Sequence, residues 1–519
     1  MASSLSRKNL ILTTLLLFCT FHRLLAGTNP AAQQLLVTAK YQANLFPSSP
    51  GEQRHRSAST TEAENRPISA LLIGDIHFDP FHDPAKVQQL VDTPVSRWGS
   101  ILAAPSPNQQ QAFDALRKTC PARGVDTPYT LLQSSLQAMP FQQPNAKFIT
   151  VSGDLIAHSF FCRYTTLLPG STQSDYQAFV LKTLSFVMEE LRASFTNAPI
   201  YVALGNNDTA CDDYRLDAGS DFLVQTGKIV AEGLPSSQRQ QALQAFAEGG
   251  YYSLTMAAPI RDTRLIVIND LFMSPKYRTC AGRPDSAATT AEMAWLREQL
   301  TEARRLRQRV WVMGHIPPGV DPYSTVAKLR DICGNEAPEM FLSSDELSDL
   351  LLEYADVVRL GIFAHSHMDE MRLLEPPGSN RHTSFEHSVA IKMVPSISPI
   401  DGNNPSFTIA RINPSSAVLQ NYEVIAASNQ TGIATTWSIE YDYAQTYHEG
   451  QFSPSTVKEL ITEFENDPGA KTEVSEEYLR NFYVGDRSSE FKPFWPQYVC
   501  VLLNHTARAF AACVCSAGK

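Results

Sequence analysis

Apolar and polar positions fall in blocks along the chain, and several apolar blocks end alike. Leu71-Leu72-Ile73 runs into Gly74-Asp75-Ile76-His77. Phe148 to Val151 runs into Gly153-Asp154. Ile200 to Leu204 runs into Gly205-Asn206-Asn207-Asp208. Val310 to Met313 runs into Gly314-His315, and Val357 to Phe363 into Ala364-His365-Ser366-His367. A short apolar run closed by a small residue reads as a buried strand. Between these runs the spacing becomes helical. Ala291 to Arg307 places Met293, Leu296, Leu300 and Ala303 on one face, with Arg and Glu opposite. Ser344 to Ala355 carries Leu347, Leu350, Leu351 and Tyr354 behind a capping serine, Ser344. Strands alternating with helices predict an α/β layered domain over residues 68–410. Residues 96–128 are rich in Gln, Pro and Ser and read as a loop covering one edge of it. Phe407 to Ile412 and Ala417 to Ala427 read as late strands. Aromatics and polar helices follow from Trp437, including Ser453 to Phe464, so residues 411–519 read as a small C-terminal subdomain.

Composition narrows the class. The chain has 519 residues, 43% hydrophobic and 18% charged, enough for a large core. Its net charge of −10 and lack of a basic stripe argue against non-specific nucleic-acid binding. A phosphate substrate would need local cationic charge. Arg7 and Lys8 precede the apolar run Leu10 to Phe21, too short to span a bilayer comfortably. Residues 1–26 read as a signal peptide with cleavage near Ala26 or Gly27, an uncleaved anchor being the alternative. Residues 27–67 read as a polar N-terminal arm. No other stretch suits a membrane span, and the protein is expected to be secreted; a monomer is assumed. Nine cysteines include Cys19 in the leader, leaving an even eight for disulfides. Cys513-Val514-Cys515 cannot easily pair with itself, and Cys500 is a candidate partner for one of the two. Cys162 and Cys211 each follow a ligand loop and are expected to pinch those loops together, although spacing does not fix the pairing. Without a Cys-x-x-Cys pair, thiolate metal binding is disfavoured. Asn207, Asn429 and Asn504 begin glycosylation sequons.

The strand ends carry the chemistry. Asp75, His77, Asp154, Asn206, His315, His365 and His367 are candidate metal ligands. Asp75 and His77 would point the same way if the segment were extended. Seven ligands exceed one tetrahedral ion and suit two divalent ions sharing one carboxylate. The mixed nitrogen and oxygen set fits Zn²⁺, Mn²⁺ or Fe better than Mg²⁺ or Ca²⁺, with zinc the first choice.

The order Gly-Asp-x-His, Gly-Asp, Gly-Asn-Asn-Asp, Gly-His and Ala-His-x-His resembles the calcineurin-like metallophosphoesterase family. Finer motifs resemble its acid sphingomyelinase-like phosphodiesterase branch. They are Asp75-Ile76-His77-Phe78-Asp79-Pro80, Gly153 through His158, Gly249 through Ser253, Gly314 through Gly319, His365 through Glu370, and Pro395 through Pro399 with Asn403-Asn404-Pro405. The resemblance spans about residues 70–410. It implies a four-layer αββα sandwich with two metal ions at the sheet edges. It implies Asp75, His77 and His367 on one ion, Asn206, His315 and His365 on the other, and Asp154 bridging. His158 matches a histidine that stands over the substrate phosphate; read from the residues alone, it could equally be a satisfied core histidine.

Two departures bear on substrate. Asn207 stands where the family places a histidine thought to protonate the leaving group, and an asparagine cannot supply that proton. Leaving groups of low pKa need none, so Asn207 shifts weight toward phosphoanhydrides, as in endopolyphosphatase-like relatives; alternatively His158 carries the proton alone. The residues before the catalytic part lack the cysteines of a lipid-presenting saposin domain. The sequence therefore predicts a secreted, dinuclear-metal phosphoric ester hydrolase, sphingomyelinase-like, that uses metal-activated hydroxide on a small phosphodiester. The alternatives are an endopolyphosphatase or nucleotide phosphoanhydride hydrolase, and an inactive secreted binding protein. Seven intact ligands argue against the last, since an idle site need not desolvate so many polar groups.

Overall fold

The computed structural model describes residues 66–376, 387–485 and 491–517. The expected leader and nearly all of the arm lie outside this range. In chain order the strands are β1 (Ile68–Ile73), β2 (Ile149–Ser152), β3 (Ile200–Ala203), β4 (Tyr252–Thr255), β5 (Thr263–Val267) and β6 (Arg309–Met313). They continue as β7 (Val358–Phe363), β8 (Glu370–Leu374), β9 (Val389–Met393), β10 (Ser406–Ile412), β11 (Leu419–Ala427) and β12 (Trp437–Asp442). One sheet runs β12-β11-β10-β1-β2-β3 and the other β4-β5-β6-β7-β9-β8. Within them β1, β2 and β3 are parallel, as are β5, β6, β7 and β9.

The parallel strands are apolar on both faces because both are covered. β2 and β3 are buried at every position. The sheets meet where the Tyr252 hydroxyl accepts from Val202 N (2.9 Å) and donates to Val202 O (3.1 Å). Trp311 in β6 is buried, edge-on to Phe148, and its indole donates to Ala417 O at 2.8 Å. Helices clothe the outside, making the αββα sandwich. Gln173–Ser194, held by a Thr172/Asp175 capping box, is among the longest.

Several local expectations change. The helix expected from Ser344 spans Glu346–Glu353, with Asp345 at its N-cap. The one expected over Ala291 to Arg307 starts a turn earlier and spans Ala287–Arg305. Residues 96–128 are not one loop; they hold helices Trp98–Ala103 and Gln109–Thr119. Trp437–Asp442, read with the late aromatics and polar helices, is strand β12. β10 continues past residue 410 beside β1. Cysteine pairing also differs from the pinch between Cys162 and Cys211. Cys162 pairs with Cys120 and Cys211 with Cys280, so each closes its own loop. Cys513 pairs with Cys500, and Cys515 reaches Cys333.

Beneath the His367 loop lies a buried charged knot. Lys392 Nζ donates to Asp369 and lies over the Tyr422 ring, and Tyr441 donates its hydroxyl to Asp369. Next to them Arg372 donates to Glu370 (2.6 Å) and to Pro318 O and Val320 O. Tyr498 donates to Glu370 at 2.9 Å, tying helix Trp495–Leu503 to these loops. Breaking such a pair from one side leaves an uncompensated buried charge. Lys392→Met is expected to cost about 3–5 kcal/mol of stability, read as a lower denaturation midpoint. Combining it with Asp369→Asn should cost less than the sum of the two single changes.

Candidate metal centre

The residues proposed from the strand ends converge at the carboxyl ends of β1, β2 and β3 in one sheet and of β6 and β7 in the other. Backbone stitches hold the loops together: Asp75 N donates to Gly153 O, His77 N to Asp154 O, and Ala364 N to His315 O. Five of the seven residues have left-handed backbones, with φ of 46° at Asp75, 44° at His77, 54° at Asp154, 71° at His365 and 66° at His367. Such strain in non-glycine residues clusters at functional sites. It also corrects the reason expected for convergence. Asp75 and His77 face one point through two left-handed turns, not an extended strand. Gly205 is required by crowding, since a Cβ there would lie 2.0 Å from Asp154 Oδ1. Gly153 combines a φ of 88° with contact to Gly205 and His315.

Asp154 is central. Its Oδ2 lies 3.4 Å from His77 Nε2 and 3.1 Å from His315 Nε2. The opposite ring nitrogens are pinned to carbonyls: His77 Nδ1 lies 2.9 Å from Ile156 O and His315 Nδ1 2.7 Å from Ser152 O. A carbonyl accepts only, so each Nδ1 carries the hydrogen. In a neutral ring each Nε2 then presents a lone pair inward, the usual way a protein orients metal-binding imidazoles. Around His77 stand His367 Nε2 (3.2 Å) and Asp75 Oδ1 (3.7 Å). Asp75 Oδ1 is buried and has no hydrogen-bond partner. Around His315 stand Asn206 Oδ1 (3.1 Å) and His365 Nδ1 (3.2 Å). Asn206 Nδ2 donates to Asp213 at 2.8 Å, which leaves its carbonyl oxygen facing the group. Two acceptor-rich clusters thus share Asp154, and lone pairs at these distances repel unless a proton or a cation lies between them. The residues fit divalent ions.

Electrostatics agree. Burial pushes His77 down, but the carboxylates led by Asp154 outweigh it and lift it to about 9. His315 rises to about 10 against the same burial, again through Asp154. Burial and their cationic neighbours instead drive His365 and His367 well below the usual histidine range. Without an ion the site draws protons onto the two histidines nearest Asp154.

Asn207 enters the group but does not face outward. It is buried, and its backbone N and Nδ2 donate to the two Asp154 oxygens, each at 2.8 Å. His158 is separate from the core packing: its ring stacks on His77 at 4.0 Å, and its side chain keeps 22% exposure. A groove of 1510 Å³ lies alongside, lined by Asn108, Gln109, Gln133, Tyr129, Tyr323 and Asp401 among others. Asp401 connects it to the centre, 3.3 Å from His367 Nδ1 and paired with Arg123 at 3.0 Å. Residues 96–128 contribute much of the groove wall.

Sequence reasoning missed the supporting carboxylates. Asp208 accepts from Gly205, Leu155 and Ile156 and knots the β2 and β3 loops; burial lifts it to about 7. Asp270 accepts from His315 N at 2.7 Å and is likewise lifted by burial to about 7. Asp126 holds His158 at 2.9 Å. Among these only Asp208 carried a signal, its place in Gly-Asn-Asn-Asp.

Residues 68–369 match the calcineurin-like phosphoesterase family model. "Sphingomyelinase phosphodiesterase C" of Dictyostelium discoideum is 24% identical, over 64% of this chain and 70% of its own. "Cyclic GMP-AMP phosphodiesterase SMPDL3A" of Mus musculus is 22% identical, over 85% of this chain and 90% of its own. "Acid sphingomyelinase-like phosphodiesterase 3b" of Mus musculus is 24% identical, over 76% and 79%. With a family match across more than half its length and a metal-competent cluster at the family's strand ends, the chain belongs to the calcineurin-like phosphoesterases and is a metal-dependent phosphoric ester hydrolase.

Proposed function

We propose that the protein is an exported phosphodiesterase working with two divalent ions, zinc foremost. Asp75, His77 and His367 would hold one ion, Asn206, His315 and His365 the other, and Asp154 would bridge. The observation that carries this reading is Asp154 Oδ2 lying between His77 Nε2 and His315 Nε2, both with Nδ1 pinned to a carbonyl. Bound there, such ions supply Lewis acidity, polarising phosphoryl oxygens and sharpening water as a nucleophile. The protein's own part is to fix the ligand geometry and manage protons. Asn207 steadies Asp154 and has no proton to give. His158, partly exposed beside the cluster, is the group placed to protonate a leaving oxygen. Four disulfides support export.

The proton-free Asn207 favours a second reading, hydrolysis of phosphoanhydrides. Charge argues against the polymeric form of it. Arg123 at the groove is already paired with Asp401, and a polyanion would want several free cations there. The relatives' names are those of diesterases. A panel of bis-aryl phosphate, sphingomyelin, ATP and polyphosphate, with metal content measured in parallel, tests the reading. Turnover of diesters by protein carrying two ions per chain is expected. Anhydride turnover alone would favour the second reading. Protein that keeps no metal and turns over nothing would be a binding protein.

A further inference from the structure

We propose that Asp126 is a positioning residue, holding His158 so that its free ring nitrogen faces the leaving group. This rests on the phosphodiesterase reading above. Asp126 is fully buried and grips His158 twice, through the backbone N (3.0 Å to Oδ2) and through Nδ1 (2.9 Å to Oδ1). Ser398 Oγ donates to the same Oδ1 at 3.1 Å. Behind it Arg163, also fully buried, donates to Asp79 (2.7 Å) and reaches Asp126 Oδ2 at 3.7 Å. The next residue, Thr127, is stitched to the metal loop: its N donates to His77 O and its O accepts from Asp79 N.

Two restraints then fix one ring. The stack on His77, at 4.0 Å and 20° between planes, sets the plane of the His158 imidazole. The Asp126 contact sets its rotation within that plane. With Nδ1 committed to a carboxylate, Nε2 is the nitrogen left for substrate, on a side chain that keeps 22% exposure. A buried charge is a costly way to orient a ring, since a neutral acceptor would also take the Nδ1 hydrogen. A carboxylate adds what a neutral amide lacks, a second accepting oxygen, so that the His158 backbone N–H and Nδ1 are held at once. As the phosphorus–oxygen bond breaks, its electron pair goes to the leaving oxygen. The Nε2 proton follows, giving an alcohol and a neutral His158 still bonded to Asp126 through Nδ1. Water supplies the hydroxyl that phosphorus gains, and its other proton replaces the one that Nε2 gave up.

The test is leaving-group dependence. Phosphodiesters of one series with 4-nitrophenyl, phenyl and primary-alkyl leaving groups are compared for wild type and Asp126→Asn. An aryl oxide of low pKa leaves unaided, while an alkoxide needs its proton. Asp126→Asn is expected to lower kcat about 100-fold on the alkyl ester but only a few-fold on the 4-nitrophenyl ester. Bound metal should stay at the wild-type level. His158→Gln, which leaves Asp126, Arg163 and Asp79 in place, should reproduce the same selective loss. Adding Asp126→Asn to it should cost little more. A loss equal across the series, in Asp126→Asn or, if that variant does not fold, in His158→Gln and Ser398→Ala, overturns the proposal. Full alkyl-ester activity in Asp126→Asn also overturns it. Wild-type protein that binds its ions yet cleaves no diester overturns the phosphodiesterase reading itself, and this inference with it.

Discussion

Asp154→Asn is expected to abolish turnover, by on the order of 10³-fold or more, and to bring metal below two ions per chain. The substitution changes one oxygen to an amide nitrogen, and the surroundings cannot accept it. Both Asp154 oxygens already take hydrogens from Asn207, each at 2.8 Å. An NH₂ group in either place faces a donor and loses that bond. The same oxygen that contacts His77 and His315 would lose its charge or be replaced. Asp154 is also the leading charge that lifts both histidines, so the site would lose its attraction for cations as well as a ligand. The fold should survive, because Asp154 lies past the end of β2 and its backbone O still accepts from His77 N. Metal analysis and turnover on one preparation check this, with circular dichroism confirming the fold. Wild-type activity with two ions bound would refute a bridging role for Asp154.

The sequence revealed the residues of this site better than their geometry. Each loop of the cluster followed an apolar run, and apolar runs are what strand burial imposes, so Asp75, Asp154, Asn206, His315 and His365 stood out as candidates without a structure. The left-handed backbones at Asp75, His77 and Asp154 were invisible, because tertiary crowding imposes them where local preference would not. The supporting carboxylates were hidden for another reason. Asp126 lies 32 residues before His158, and Asp270 lies 45 before His315, separations set only by how the sheets assemble. Short strands also escaped. β4 and β5 carry Ser, Thr and Arg among their apolar positions, which dilutes the run that marked β6 and β7. The cysteine pairs followed loop geometry, not proximity in the chain, except where Cys500 and Cys513 lie on neighbouring helices.

Metal loading at pH 7 is expected to release about two protons per chain, and apparent affinity to rise about tenfold per pH unit for each ion, or about 100-fold for the two together, near neutrality. In the ion-free protein His77 sits at about 9 and His315 at about 10. Both are therefore imidazolium at pH 7. With Nδ1–H given to Ile156 O and Ser152 O, the extra proton occupies Nε2, the atom facing Asp154. An ion can take that place only if the proton leaves. Each displaced proton contributes about tenfold per pH unit to the affinity of its own ion, about 100-fold to the product of the two, and the slope should fade as pH passes about 9 for the His77 ion and about 10 for the His315 ion. Stability of the ion-free protein moves the other way. Both folded pKa values lie above the ordinary 6.5, so their contribution is complete below about 6.5 and is lost as pH rises through about 9 and 10. The ion-free protein should thus lose stability on going alkaline while its affinity for metal increases. Calorimetric titration of zinc in two buffers of different ionisation heat counts the protons directly. A count of zero at pH 7 would mean that both rings are already neutral, and that Asp154 does not lift them as its distances require.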